Sequence, residues 1–176
     1  MISDEQSPSN NAFTIRFATP KDVGLILIFI KELAHYENLL SEVVATEEIL
    51  LETLFGPKPS AEVVLGYLEN KAVSFALFFH NFSTFLGRPG IYIEDLYVSP
   101  LARGQGIGRK MLQFLAKLAK ERNCGRLEWW VLDWNQDAIA FYKKVGARPM
   151  DEWTVFRVTG EALECLALEK DSQNLH

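Results

Sequence analysis

The run IYIEDLYVSPLARGQGIG, from Ile91 to Gly108, restricts the possible folds of this chain more than any other stretch. An apolar, strand-like segment ends near Val98, a short linker with Pro100 follows, and a glycine-rich turn opens a helix. A second strand pattern returns at residues 126–132. Strand, helix and strand in one sheet require a parallel pair joined by a right-handed crossover. The turn itself carries no nucleophile and no metal ligand. Its glycines let backbone N–H groups approach an anion, and the helix N-terminus behind them adds partial positive charge. With the carboxylate of Glu94 on the adjoining strand, the arrangement suits a nucleotide-like cofactor that hands a group to a substrate.

Around this unit the pattern is mixed. Residues 13–17 alternate as a first strand, and Thr19-Pro20-Lys21-Asp22 is a helix start leading into a largely buried helix over residues 23–37. A second helix begins at Thr46-Glu47-Glu48, presents Ile49, Leu50, Leu54 and Phe55 on one face, and stops at Gly56-Pro57. Residues 61–69, 73–80 and 91–98 read as three strands, separated by Asn70-Lys71 and a loop over 81–90, and so most simply antiparallel. Helices over 108–123 and 136–145, the latter closed by Gly146, alternate with strands over 126–132 and 154–158. Cys165 lies in a further helix-like stretch. The order β-α-α-β-β-β-α-β-α-β has no repeat and no internal linker. It predicts one α+β domain over residues 12–168, a twisted sheet with parallel and antiparallel pairs flanked by helices. Residues 1–11 read as a disordered tail and 169–176 as a C-terminal tail.

At 176 residues, 48% hydrophobic and 23% charged, the chain has the size and composition of one globular domain. Its net charge of −5 disfavours nucleic acid, because the basic cluster from Arg103 to Arg122 is interrupted by Gln113 and Glu121. A cationic or neutral small substrate fits that balance better. Cys124 and Cys165 have no pairing pattern, which points to reduced thiols and a cytoplasmic setting. No signal-peptide pattern opens the chain, and its longest apolar run, residues 25–30, is too short for a membrane span. The three histidines and two cysteines lack ligand spacing, so no metal is expected, and His35 and His80 read as ordinary core or surface residues.

Arg103-Gly104-Gln105-Gly106-Ile107-Gly108 is either an anion cradle flanked by Arg103 and Arg109 or a plain glycine turn; its strand–turn–helix setting favours the cradle. It is not a Walker loop, because Gly108 is followed by Arg109-Lys110-Met111 rather than Lys and a hydroxyl residue. Nor does it have the glycine spacing of a dinucleotide fingerprint, and Glu128 is poorly suited to be the ribose-binding acid.

The segments E-D-L-Y-V, R-G-Q-G-I-G, V-L-D-W-N and F-Y-K-K-V-G-A together resemble the GNAT superfamily of acetyl-CoA-dependent N-acetyltransferases. Arg103, Gly106 and Gly108 match its Arg/Gln-x-x-Gly-x-Gly/Ala pattern. I-K-E-L-A-H-Y-E, Y-I-E-D-L-Y-V, R-G-Q-G-I-G and V-L-D-W-N-Q are similar to the diamine (spermidine/spermine) acetyltransferase group, the last two nearest its thialysine-acetylating branch. The resemblance spans residues 15–167 and implies acetyl-CoA as co-substrate, a small amine as acceptor and a homodimer.

The reaction implied is attack of an amine on a thioester. An alkylammonium with a pKa of about 10.4 costs on the order of 4–5 kcal/mol to deprotonate at pH 7. Glu94, on the strand at the cofactor edge, is the candidate base, directly or through a water; the alternative is a solvated strand acid. In a regular strand Glu94 and Asp95 face opposite ways, so only one of them can serve the site. By resemblance Glu94 also contacts substrate, and Tyr142 is the general acid that protonates the leaving thiolate, although on sequence alone Tyr142 could be a core aromatic. The resemblance further implies cofactor contacts from Leu96, Tyr97 and Val98, where backbone amides receive the pantetheine arm as an added strand. It extends them through Arg103, Gly104, Gln105, Gly106, Ile107, Gly108 and Arg109 in the turn, and to Asn135, Gln136, Asp137 and Ala138. Asn135 equally suits a helix N-cap. Tyr36 and Glu37 match positions lining the amine channel; Glu128, Trp129, Trp130, Asp151 and Glu152 occupy substrate-side segments but depart from the group's residues. Without a placed nucleophile, transfer is expected in a ternary complex. A protein or peptide N-acetyltransferase and a non-catalytic CoA-binding sensor are the alternative readings.

Overall fold

The computed structural model describes residues 13–168, which divide between Trp134 and Asn135 into two compact units. Both expected tails, 1–11 and 169–176, lie outside the described residues.

The first unit holds β1 (Thr14–Phe17), α1 (Val23–Tyr36), α2 (Glu47–Phe55), β2 (Glu62–Leu68), β3 (Lys71–Ser83), β4 (Arg88–Val98), α3 (Ile107–Glu121) and β5 (Leu127–Trp129). They form a five-stranded sheet in the order β1-β2-β3-β4-β5. The first three pairings are antiparallel, and β4 and β5 run parallel across α3, as the crossover argument requires. The architecture is α+β. On one face, Val63, Leu65, Phe75 and Tyr97 pack with Val23, Ile26 and Phe29 of α1 and Leu50 and Leu54 of α2. The Phe29 and Phe75 rings stack at 5.5 Å. The alternate residues of the central strands, Val64, Ala76, Phe78, Ile91 and Ile93, are buried on the opposite face, where α3 lies along β3 and β4. Met111 and Leu115 of α3 are fully buried.

The helix starts follow their local chemistry. Asp22 accepts from the Thr19 N–H at 2.7 Å in a capping box at the 3-10 turn Pro20–Asp22 that leads into α1. Thr46 accepts from the Ile49 N–H at 3.3 Å at the head of α2. Glu69 (φ 50°) and Asn70 (φ 62°) make the two-residue turn between Leu68 and Lys71, the left-handed form that matches strand twist.

Three strand expectations need correction. The β3–β4 hairpin is longer than the polar composition of 81–90 suggests, because ladder pairing continues through Asn81↔Gly90, Phe82↔Pro89 and Ser83↔Arg88. The strand expected over 126–132 shrinks to Leu127–Trp129, since among the described residues it pairs only with Ile91, Tyr92 and Ile93. Residues 154–158 form no strand: their β-branched and aromatic side chains supply propensity, but a strand needs a ladder partner.

The second unit contains α4 (Gln136–Lys144) and α5 (Gly160–Leu168). The Asn135 side chain accepts from the Ala138 N–H at 3.2 Å, so Asn135 is the N-cap of α4. Gly146, at φ 90°, ends it, with the Ala147 N–H returning to the Tyr142 carbonyl at 3.0 Å. Among the described residues, no helix is long and apolar enough to cross a membrane.

Candidate active site

β4 carries one residue more than β3 can match. Phe78 pairs with Ile93 and Leu77 with Asp95, leaving Glu94 as a bulge. The ladder to β5 ends at the same place, with Ile93↔Trp129 as its last pair. Beyond the bulge, then, the β5-side edge of β4 has no strand beside it among the described residues. The Ser99 N–H donates to the Val73 carbonyl of β3 at 2.8 Å. Alternation from Ser99 turns the amides of Tyr97 and Asp95 toward β3 and those of Leu96 and Val98 toward the open edge.

The bulge also changes which acid faces α1. Because Asp95 lies opposite Leu77, which packs against the α1–α2 core, its side chain shares that face with Tyr97 and Tyr92. Burial pushes the Asp95 carboxyl up to about 7, and the negative charges of Glu94 and Glu37 push in the same direction. Glu37, at the C-terminal end of α1, is itself raised by burial. Glu94 is exposed. Three carboxyl groups therefore gather where β4 opens. Asp95 is the member that strand alternation did not assign to the site. The only signal for it was its adjacency to Glu94, because a bulge leaves no mark in the hydrophobic pattern.

The glycine turn follows β4 after the 3-10 turn Pro100–Ala102. Gly104 (φ 77°) and Gly106 (φ 76°) are left-handed, and a Cβ at either would meet nothing within 4 Å, so backbone conformation rather than space demands glycine. Gly106 is the N-cap of α3, whose first internal bond runs from the Lys110 N–H to the Gly106 carbonyl at 3.1 Å. The N–H groups of Ile107, Gly108 and Arg109 precede it and have no acceptor within the helix. The Arg103 side chain donates from Nε to the Val98 carbonyl at 3.0 Å, and its Cζ lies 4.6 Å from the Tyr36 ring centroid and 5.7 Å from that of Tyr97. Tyr97 is buried, packs against Phe29 at 6.0 Å, and has its phenol raised by burial and by the charge of Glu32, to which it is hydrogen-bonded.

The Glu128 carboxylate accepts from Asn81 Nδ2 at 2.7 Å and faces Arg126 Nε at 2.8 Å, tying β5 to β3. Trp130 is exposed, with its ring edge-on to Tyr92 at 5.7 Å. In the second unit, Tyr142 lies on α4 with its ring 5.4 Å from that of Phe141, and Asp151 and Glu152 are exposed in a turn. No group of three His, Cys, Asp or Glu among the described residues could hold a metal ion.

Residues 31–147 match the Acetyltransferase (GNAT) family. The chain belongs to that family. This GNAT chain is 41% identical to the thialysine N-epsilon-acetyltransferase of Bos taurus, over 87% of its own length and 96% of the relative's. It is 33% identical to the L-ornithine N5-acetyltransferase NATA1 of Arabidopsis thaliana, over 92% of both chains. An integron cassette protein from the mobile metagenome of V. cholerae shares its fold with a TM-score of 0.75 and 30% identity, covering 89% of this chain and 98% of that one. GNAT membership makes the protein an acyltransferase with acetyl-CoA as co-substrate. The described residues suit that co-substrate: the first amides of α3 have no acceptor within the helix and can donate to an anion, and the open edge of β4 offers amides to an extended arm.

Proposed function

We propose that this GNAT acyltransferase transfers acetyl from acetyl-CoA to a primary amine of a small basic molecule, a thialysine-like amino acid or a polyamine, within a ternary complex. The observation that carries this reading is the carboxyl cluster of Asp95, Glu94 and Glu37 at the point where β4 opens. An alkylammonium entering there offsets the negative charge that these acids bring together. Glu94 takes the proton as the nitrogen attacks the thioester carbonyl, and Asp95 holds the cationic end of the acceptor beside it. Tyr36 and Glu37 line the amine channel, and Trp130 offers a ring face to a cation. The amides of Leu96 and Val98 receive the pantetheine arm, while residues 104–109 bind the pyrophosphate. Tyr142 protonates the departing thiolate, and Asn135, Gln136, Asp137 and Ala138 complete the cofactor contacts.

The identities to thialysine and ornithine acetyltransferases favour an amino acid over a polyamine. The deciding assay measures CoA release with thialysine, lysine, ornithine, spermidine and putrescine under identical conditions. Highest kcat/KM on thialysine supports the reading, spermidine in its place assigns the polyamine alternative, and no turnover with any of them removes it.

The active form is a homodimer in the cytoplasm. Support for the dimer comes from residues 148–168, all exposed and including Trp153, Phe156, Leu163 and Leu166. Large exposed apolar patches mark interaction surfaces. Two free cysteines favour a reducing compartment. Sedimentation at micromolar concentration showing only monomer rules the dimer out.

A further inference from the structure

Arg103 has two sets of interacting surfaces, and they face different partners. Its Cζ lies over the Tyr36 ring, 4.6 Å from the centroid, and 5.7 Å from the Tyr97 centroid, and its Nε donates to the Val98 carbonyl at 3.0 Å. Its terminal amino groups hold no hydrogen bond among the described residues. The Tyr36 ring in turn lies 5.9 Å from that of Trp134. The rings come from separate elements: Tyr97 near the end of β4, Tyr36 as the last residue of α1, and Trp134 at the end of the first unit. Phe29, Glu32 and Tyr36 fall on one stripe of α1, and all three lie against Tyr97 or Arg103.

We propose that Arg103 is a positioning residue for the acceptor amine: through its cation–π contact with Tyr36, it holds the α1 end of the amine channel in place against the cofactor turn. This rests on the proposed function, which puts Tyr36 on the amine side. Arg103 makes both contacts from one rigid group, with Nε on the Val98 carbonyl and Cζ over the Tyr36 ring; an ammonium on a flexible stem lacks that fixed pair of contacts and holds the ring less firmly. Removal of either partner breaks the same Arg103–Tyr36 contact, so defects in the two residues should overlap rather than multiply.

The test is a double-mutant cycle of Arg103→Lys and Tyr36→Leu, with KM measured separately for the best amine and for acetyl-CoA. Tyr36→Leu is expected to raise the amine KM about three- to tenfold while the acetyl-CoA KM moves less than about twofold. Arg103→Lys keeps the charge and should raise the amine KM by a similar factor. The double variant should be no worse than about twice the poorer single one, and Tyr36→Phe should recover most of what Tyr36→Leu loses. If Arg103→Lys raises only the acetyl-CoA KM, or if the two defects multiply, the proposal is wrong although the enzyme remains an amine acetyltransferase. A wild-type protein that acetylates no amine overturns the functional reading, and this proposal with it.

Discussion

Leu77 and Phe78 are neighbours on β3, yet their partners on β4, Asp95 and Ile93, are two residues apart. The missing partner is Glu94. One extra residue thus turns the Leu96 and Val98 amides toward an open edge, puts Asp95 on the α1 face, and leaves Glu94 projecting from the bulge.

The proposed reaction gives the two acids separable roles. Glu94→Gln is expected to lower kcat about 100-fold or more with a small change in amine KM, since general-base catalysis contributes about that much. Asp95→Asn should raise amine KM about tenfold and leave kcat closer to wild type, as loss of a charge that binds ground and transition states alike would do. Steady-state kinetics on both variants checks this; reversed effects would exchange the assignments.

Asp95 also gives stability a distinctive pH dependence. Its carboxyl is raised to about 7 in the folded protein against about 3.9 when unfolded, so between these values the folded state binds more protons. This group's contribution to stability is therefore greatest below about pH 4, falls as pH rises toward 7, and is level above it. Urea titrations should find Asp95→Asn and wild type close together near pH 4.5 and the variant more stable at pH 8. A variant less stable at pH 8 would contradict the buried-acid assignment.

Tyr142→Phe removes only the phenolic proton. Turnover is expected to fall about 10–100-fold while the acetyl-CoA KM stays within about twofold. Unchanged kcat would show that the leaving thiolate is protonated by another group.

The Arg16–Asp22 pair has the opposite pH behaviour. Asp22 accepts from both terminal nitrogens of Arg16, at 2.9 and 2.8 Å, and from Thr19, holding its carboxyl well below the usual carboxylate range. Its stabilisation is present above about pH 4 and is lost as pH falls below it. Asp22→Asn should cost about 1–3 kcal/mol at pH 7 by denaturant unfolding, and less than half of that at pH 2.5.

In the β2–β3 turn, Glu69 adopts φ 50°, a conformation costly for a residue without a short polar side chain. Glu69→Asn is expected to stabilise the protein by about 0.5–1 kcal/mol, read as a higher melting temperature with unchanged activity.

Local chemistry alone determined the Thr46 and Asn135 caps, the proline-led start of α1, the Gly146 stop and the crossover between β4 and β5. Each depends on residues a few positions apart or on a connection too long for a hairpin. The glycine turn was legible for the same reason, because left-handed backbone at Gly104 and Gly106 is a demand on single residues. Tertiary structure alone decided the bulge at Glu94, the placement of Asp95 beside Glu37, the cation–π contact of Arg103 with Tyr36 and the unpaired state of residues 154–158. Strand register and charge proximity depend on which distant segment lies opposite, and periodicity within a single strand carries no record of its neighbour.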